Sequence, residues 1–593
     1  MALLKADEKS PFLPKPGDET ARPAAGERDT GEAGGRAAGG GRGAAGAAAG
    51  GDAGAQGRAA ASRTQPPPRV EIDFDGIQDR IIALNLPARD YSNLQAGVEG
   101  QIFYVDGGTL RRYSLSDQEA RDFVTGASTY TLSTDRRKML YRSGGGGRGG
   151  RGGGGGSAGW SIVDSDRNPP TGSNGALNTA GVRMRIDPRA EFKQMFAEGW
   201  RFQRDYLYVP NMHGVDYAKT KAMYEPLLDY VAHRSDLNYL LDWMGGEVAI
   251  GHSFVRGGDT PDTENVPVGL MGADLEIAGG RYRIAKVYTG ESWNGSLRGP
   301  LAQPGMDVGA GDFILAVNGV ELRAPENPYR LFEQTSGRQT VLRVADSADG
   351  ANARDVIVVP TANEGGLRRE EWIESNRRKV DELSGGRLAY VWLPNTGRGG
   401  YGNFNRYYFA QQDKQGAIID ERFNSGGSAA DYIVEFMARQ PHGYFNNPVG
   451  ERTPFTSPAA GSWGPKVMII NEMAGSGGDL MPYMFRYYEV GPLVGTRTWG
   501  GLVGTWDTPP LLDGGSMIAP RGGFFDIDGE WAVENEGTPP DIQVEMTPKD
   551  VIAGRDPQLE RAVGEAMKLL ETGRFQRKTE PPPPIRSRRP GGG

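Results

Sequence analysis

The feature that most limits how this chain can fold is a repeated unit: a short unbroken apolar run, a turn of small polar residues, then helical pattern. Lys466 to Ile470 (KVMII) leads into Asn471-Glu472-Met473-Ala474-Gly475-Ser476-Gly477-Gly478-Asp479, and a helix is expected from Asp479 to Tyr488. Ala417 to Asp420 leads into Glu421-Arg422-Phe423-Asn424-Ser425-Gly426-Gly427, with a helix expected from Ala429 to Arg439. Leu388 to Leu393 is a third such run. Continuous apolar runs suit strands covered on both faces, and strands that alternate with helices build a parallel α/β sheet. Where such a strand ends and a helix begins, side chains project into a crevice beyond the sheet.

Ser476 sits at such a place. The helix start leaves amides without partners and a positive dipole end, so the amide of Gly477 can face a tetrahedral oxyanion. The turn with Gly426 and Gly427 can offer a second amide from a neighbouring strand end, and an acyl-transfer oxyanion hole uses two such donors. The plainer reading is a capping serine beside an ordinary strand-to-helix turn. The motif is not the G-x-S-x-G elbow, because Ala474 stands where the first glycine belongs.

A serine hydroxyl needs a base, and histidine is the usual one near neutral pH. The chain has four histidines. His252, in Ala249-Ile250-Gly251-His252-Ser253-Phe254, is the candidate; its alternative is a structural histidine. His213, His233 and His442 fall in a loop, on a helix surface and in a turn after proline. Glu534, in Val533-Glu534-Asn535-Glu536-Gly537, is the candidate to orient the base; its alternative is a solvated turn carboxylate. No HExxH or paired-histidine spacing occurs, so neither a metal nor a cofactor is expected.

Composition narrows the chemistry further. There is no cysteine, which removes thiolate nucleophiles, disulfides and thiolate metal sites. A net charge of -8 argues against broad nucleic-acid binding, although Arg148 and Arg151 lie in a glycine run. The start, MALLKADEKS, does not read as a signal peptide, and no apolar run is long enough to cross a bilayer. A cytoplasmic protein without membrane partners is expected.

The chain divides by composition and pattern. Residues 1–68 are rich in Ala, Gly, Arg and Pro and are expected to be flexible. Residues 69–188 carry short alternating strands, enough for two or three propeller-like blades, with a Gly/Arg insert at 143–157. A closed propeller takes about four or more blades, so a partial, remnant-like array is expected. Residues 189–260 show helical spacing and carry His252. Residues 261–362, with Pro304-Gly305 before Gly311-Asp312-Phe313-Ile314-Leu315-Ala316-Val317-Asn318-Gly319, read as a PDZ-like module, which binds extended peptides or simply positions its neighbours. Residues 363–573 form the α/β domain, and the tail 574–593, with Pro581 to Pro584, is expected to lack order.

Three motifs resemble the tricorn protease family: Asn471 to Asp479, Gly495-Thr496-Arg497-Thr498-Trp499-Gly500-Gly501, and Val533 to Asp541. The order of blades, helical segment, PDZ and α/β domain resembles that family as well, over about residues 65–575. The resemblance implies a multidomain α+β and α/β chain whose last domain is ClpP/crotonase-like. It implies a serine endopeptidase acting on oligopeptides, with Ser476 as nucleophile, His252 as general base, Glu534 as orienting group, and Gly477 with Gly426 or Gly427 as oxyanion amides. It also implies a homo-oligomer, a hexamer in the family.

Several positions depart from the family pattern. Gly251 stands where the family has a serine before the histidine. Gly443-Tyr444-Phe445-Asn446-Asn447-Pro448 resembles the stretch with the family's acidic selector for basic side chains, but holds Asn446 and Asn447 instead, which weakens any preference for Lys or Arg. Most of the family's propeller region has no counterpart here. The related tail-specific proteases use a lysine base after the Thr-aromatic-Gly turn; Thr498-Trp499-Gly500-Gly501-Leu502 has none. These departures motivate an alternative function, a peptide-binding scaffold that has lost turnover.

Overall fold

The computed structural model describes residues 2–8, 10–12, 70–143, 159–167, 175–450, 454–573 and 575–586. Most of the expected flexible leader, nearly all of the Gly/Arg insert and the last seven residues lie outside the described residues. The chain divides into two compact units, Met1–Arg185 and Ile186–Gly593.

In the first unit, alternating residues form two antiparallel meanders. One has four strands, β1 (Tyr91–Ala96), β2 (Gln101–Asp106), β3 (Thr109–Ser114) and β4 (Glu119–Thr125); the other has β5 (Ala127–Leu132), β6 (Lys138–Ser143) and β7 (Trp160–Asp164). Their inward residues, among them Phe103, Leu110, Phe123, Tyr130, Met139 and Val163, form one core.

The second unit opens with helices α1 (Pro188–Tyr206), α2 (Tyr217–Tyr224) and α3 (Arg234–Gly246). Asp187 caps α1 by accepting from the amides of Arg189 and Ala190, with Pro188 at the first helical position. This bundle does not close on its own residues. Its core of Phe196, Leu237, Leu241 and Met244 is completed by Val503, Leu511 and Met517 from far along the chain. Strand β8 (Val255–Arg256) follows α3.

Next comes an antiparallel sheet of β9 (Ala273–Ala278), β10 (Arg281–Val287), β11 (Phe313–Val317), β12 (Val320–Glu321), β13 (Thr340–Ala345) and β14 (Arg354–Val358). Its order is β14-β13-β11-β10-β9, with β12 paired to β11.

The last module begins with α4 (Gly365–Ser384), β15 (Leu388–Trp392), α5 (Arg398–Ala410), β16 (Gly416–Asp420) and α6 (Ala430–Ala438). The hairpin β17 (Gly443–Phe445) and β18 (Phe455–Ser457) leads to β19 (Lys466–Ile470), α7 (Gly477–Tyr487) and β20 (Leu493–Gly495). Then follow β21 (Ser516–Met517), β22 (Ile542–Gln543), α8 (Pro548–Ile552) and α9 (Pro557–Gly573). The main sheet is parallel throughout, in the order β15-β16-β19-β20-β22.

Period-two alternation explains the continuous apolar runs. Leu388, Tyr390, Ile418, Val467 and Ile469 face α4 and α9. Ala389, Val391, Ile419, Met468 and Ile470 face α5, α6 and α7. Each buried Val, Ile or Leu contributes about 1.5–3 kcal/mol relative to exposure.

The expected ClpP/crotonase-like fold is not what this module is. It is one open five-stranded parallel sheet, and its last strand, β22, arrives only after an excursion over residues 496–541. That excursion pairs β21 with β8, antiparallel, and feeds the helical core. That expectation came from the resemblance alone; the strand–turn–helix pattern itself recurs in every parallel α/β sheet and does not separate one such family from another.

Candidate active site

Ser476 stands between β19 and α7, with φ 59° and ψ -118°. A side-chain-bearing residue with positive φ is uncommon, and such strain concentrates at functional sites. The turn is tied down from beneath. The Ser476 amide donates to Asp479 Oδ2 at 2.7 Å and to the Gly501 carbonyl at 3.1 Å. Asp479 also accepts from the amides of Gly500 at 2.7 Å and Gly501 at 3.1 Å. Burial pushes the Asp479 carboxyl up, and hydrogen bonds from Thr498 and these amides pull it part of the way back.

Three neighbouring strand ends meet at this turn. A Cβ built on Gly426 would lie 2.6 Å from Ser476 Cβ; one built on Gly477 would lie 2.9 Å from the Gly427 nitrogen and 2.0 Å from Thr396 Oγ1. Only glycines allow the turns to come this close. The structure separates the two candidate second donors. The Gly426 amide is already spent on Asn424 Oδ1 at 2.9 Å. The Gly427 and Gly477 amides have no acceptor among the described residues.

His252 lies in the turn after α3 and is 6% exposed. Its imidazole is held between two aromatic rings, Trp499 at 5.2 Å and Phe254 at 5.8 Å between centroids, both edge to face. Its Nδ1 is buried without a hydrogen-bond partner. Trp499 also fills the space left by three glycines. Built Cβ atoms on Gly251, Gly475 and Gly501 would lie 2.8, 2.6 and 2.4 Å from its ring. One indole therefore packs against both the histidine turn and the serine turn.

Glu534 is not a solvated turn carboxylate. Its Oε1 accepts from the Gly251 amide at 3.1 Å, and its Oε2 accepts from Leu502 at 2.6 Å and Val503 at 2.8 Å. Among the described residues no hydrogen bond joins it to His252 itself. It holds the backbone next to the imidazole, and Asn535 adds a second tie by donating to the Ala249 carbonyl at 2.9 Å. Ser253 is engaged elsewhere, accepting from Gln203 Nε2 at 2.8 Å.

His233 caps α3, and His213 bonds the Tyr208 hydroxyl at 2.7 Å. Asn446 and Asn447 lie just after β17; Asn446 donates to Glu580 of the tail at 2.7 Å and Asn447 accepts from the Val449 amide at 3.2 Å. The structure gives them no contact with Ser476. Lys466 begins β19, and a five-residue strand puts it about 13 Å or more from the serine turn, beyond reach as a base. Among the described residues no cluster of potential metal ligands occurs, and no helix is long and apolar enough to cross a membrane. Sequence reasoning assigned no role to Trp499, Asp479 or Asn424. The glycines flanking Trp499 were the available signal.

The sequence matches three family patterns: the tricorn protease C1 domain over residues 188–246, the tricorn protease PDZ domain over 269–363, and peptidase family S41 over 387–544. The last match replaces the ClpP/crotonase-like expectation. The chain is a multidomain α+β protein with a PDZ-like domain and an S41 peptidase fold. It is 34% identical to tricorn protease homolog 1 of Streptomyces coelicolor, over 85% of this chain and 48% of that one. It is 32% identical to the tricorn protease of Thermoplasma acidophilum, over 77% of this chain and 41% of that one. It is 30% identical to a putative tricorn-like protease C-terminal subunit of Sulfurisphaera tokodaii, over 84% of this chain and 58% of that one. The crystal structure of the tricorn protease superposes with a TM-score of 0.75 at 26% identity, covering 86% of this chain and 50% of that one. The chain thus spans about half the length of these relatives.

Proposed function

The chain belongs to the tricorn protease family, and from that premise we propose that it is a serine endopeptidase that cleaves oligopeptides through an acyl-enzyme. Ser476 Oγ attacks the peptide carbonyl while His252 takes its proton and returns it to the leaving amine. Water, deprotonated by the same imidazole, then releases the acyl group. The oxyanion is received by the Gly477 and Gly427 amides. The observation that carries this reading is the strained Ser476 turn, which sets two partnerless glycine amides beside the hydroxyl-bearing residue.

Glu534 acts in this reading on the main chain of the histidine turn, through Gly251, with no hydrogen bond to the ring among the described residues. The aromatic walls of Trp499 and Phe254 take over the orientation of the imidazole. We further place the protein in the cytoplasm as a homo-oligomer, a hexamer by its family; native mass spectrometry and cell fractionation test these two points.

The central test is covalent labelling by a fluorophosphonate, which reports an activated serine. The wild type should be labelled at Ser476 and should hydrolyse unstructured peptides. Ser476→Ala and His252→Ala should lose both while keeping the wild-type circular dichroism. Labelling at another serine would overturn the assignment. Peptide binding without labelling or cleavage would favour the scaffold reading, for which the partnerless His252 Nδ1 is the specific observation.

A further inference from the structure

Asn446 and Asn447 leave open what reads the substrate side chain. A different cavity lies at the oxyanion turn itself. It measures about 300 Å³ and is lined by Gly397, Arg398, Tyr401, Ser428, Ala429 and Tyr432. Ser428 follows Gly427 directly in the chain, and a Cβ built on Gly427 would lie 2.4 Å from the Gly397 nitrogen. Two of its lining residues, Gly397 and Ser428, thus adjoin Gly427, one of the two proposed oxyanion donors. Its frame is fixed on both sides: the Ala429 amide donates to the Thr396 carbonyl at 2.6 Å, and the Thr396 amide donates to the Gly426 carbonyl at 2.9 Å.

We infer that this cavity is the subsite for one aromatic side chain of the peptide, on the residue flanking the scissile bond. The inference rests on Ser476 being the nucleophile. A carbonyl oxygen seated on the Gly427 amide leaves its own α-carbon only two bonds away, so the flanking side chain falls within reach of this wall. The size fits a single large side chain and is at the lower end for small-molecule sites. Tyr401, near the start of α5, and Tyr432, near the start of α6, supply two aromatic rings. Aromatic pairs gain from edge-to-face and offset contacts beyond their burial.

Charge disfavours the other classes. No carboxylate lines the cavity, so an inserted Lys or Arg would be desolvated without a counter-ion. The one charged lining group, Arg398, is exposed; a guanidinium there repels cations and stacks on aromatic faces. An acidic side chain would find Arg398 but would have to leave water for a mostly apolar wall.

The test uses the full chain. Cleavage sites in a mixture of unstructured peptides are mapped by mass spectrometry, and matched fluorogenic peptides with Phe, Leu, Ala, Glu or Lys at the flanking position are then compared. Cleavage should cluster beside Phe, Tyr and Trp, with kcat/KM for Phe about 30-fold or more above Ala. Tyr432→Ala should lower the Phe-over-Ala ratio about tenfold, and Tyr432→Phe should keep it. Tyr432 is 60% exposed, so truncating it leaves the core alone. If Ser476 is labelled but Lys or Glu peptides are cleaved as fast as Phe, or the ratio ignores Tyr432→Ala, the subsite is overturned and the peptidase reading stands. If neither labelling nor cleavage occurs, both fall.

Discussion

The Trp499 indole stands perpendicular to the His252 imidazole, at 89° and 5.2 Å between centroids. The same ring occupies the room left by Gly251, Gly475 and Gly501, which come from the histidine turn, the serine turn and the loop after β20 that carries Trp499 itself. Its own amide donates to the Ala474 carbonyl at 2.8 Å, so the serine turn and the ring move together. Trp499 is a spacer that sets where the imidazole lies relative to the serine turn.

Trp499→Phe should keep the edge-to-face partner and most of the turnover. Trp499→Ala should lower kcat by about 10²-fold, the scale of loss that small misplacements of catalytic groups produce, with little change in KM. Its stability cost should be about 2 kcal/mol, below the value for a fully buried tryptophan because the residue is 40% exposed. Steady-state kinetics and urea denaturation of the two variants check this. Equal kcat in both would remove the spacer role.

Glu534→Gln probes the clamp. Three amides converge on the carboxylate, and a glutamine can offer them only one oxygen while turning its own donors toward the rest. The expected cost is about 2 kcal/mol from amides left without acceptors, together with about a tenfold loss in kcat as the turn bearing His252 loosens. Denaturation and kinetics are compared side by side. A stability loss with undiminished kcat would make Glu534 purely structural.

What the sequence disclosed and what it hid follow from range. The runs KVMII and LAYVWL became β19 and β15, and helices begin within two residues of where the glycine turns placed them, because caps, turns and burial periodicity are local properties. The partnership of Gly251 with Glu534 joins residues 283 apart, and no local signal announces it. Likewise Val503, Leu511 and Met517 gave no hint that they finish a core begun at α1. In the proline-rich tail, residues 575–586 carry no regular secondary structure, and the bond that Glu580 accepts from Asn446 is again a contact of long range. Trp499 was visible as a motif letter, but its role depends on three glycines brought together by the fold.

Gly427→Ala tests the oxyanion assignment. Gly427 has φ 138°, a conformation that L side chains rarely adopt, and its Cβ would press on the Gly397 nitrogen at 2.4 Å. The substitution should turn or shift the Gly427 amide and lower kcat by about 10²-fold or more, the usual consequence of losing one oxyanion donor. Labelling kinetics with a fluorophosphonate read the same step without a peptide. Wild-type labelling by a folded Gly427→Ala protein would return the second-donor role to Gly426 or to another group.

Lys466 offers a prediction about pH. It opens β19, is 5% exposed, and among the described residues its ammonium makes one hydrogen bond, a 3.3 Å contact to the Gly464 carbonyl. Burial lowers its ammonium to about 8 from the ordinary 10.5. Below pH 8 both folded and unfolded chains carry the proton, and the folded state bears the cost of a desolvated charge. Between 8 and 10.5 the unfolded chain holds more protons than the folded one, so stability rises with pH across that window and levels off above it. At about 1.4 kcal/mol per pH unit the full effect is on the order of 3 kcal/mol. Lys466→Met keeps the apolar stem and removes the charge. It should be more stable than wild type by about 2–3 kcal/mol at pH 7, and the difference should shrink toward zero near pH 10.5. Urea denaturation of both proteins at pH 7, 9 and 10 gives that difference, with every other titrating group common to the pair. A difference that stays constant with pH, or a variant less stable at pH 7, would show that the ammonium gains more from its surroundings than burial takes away.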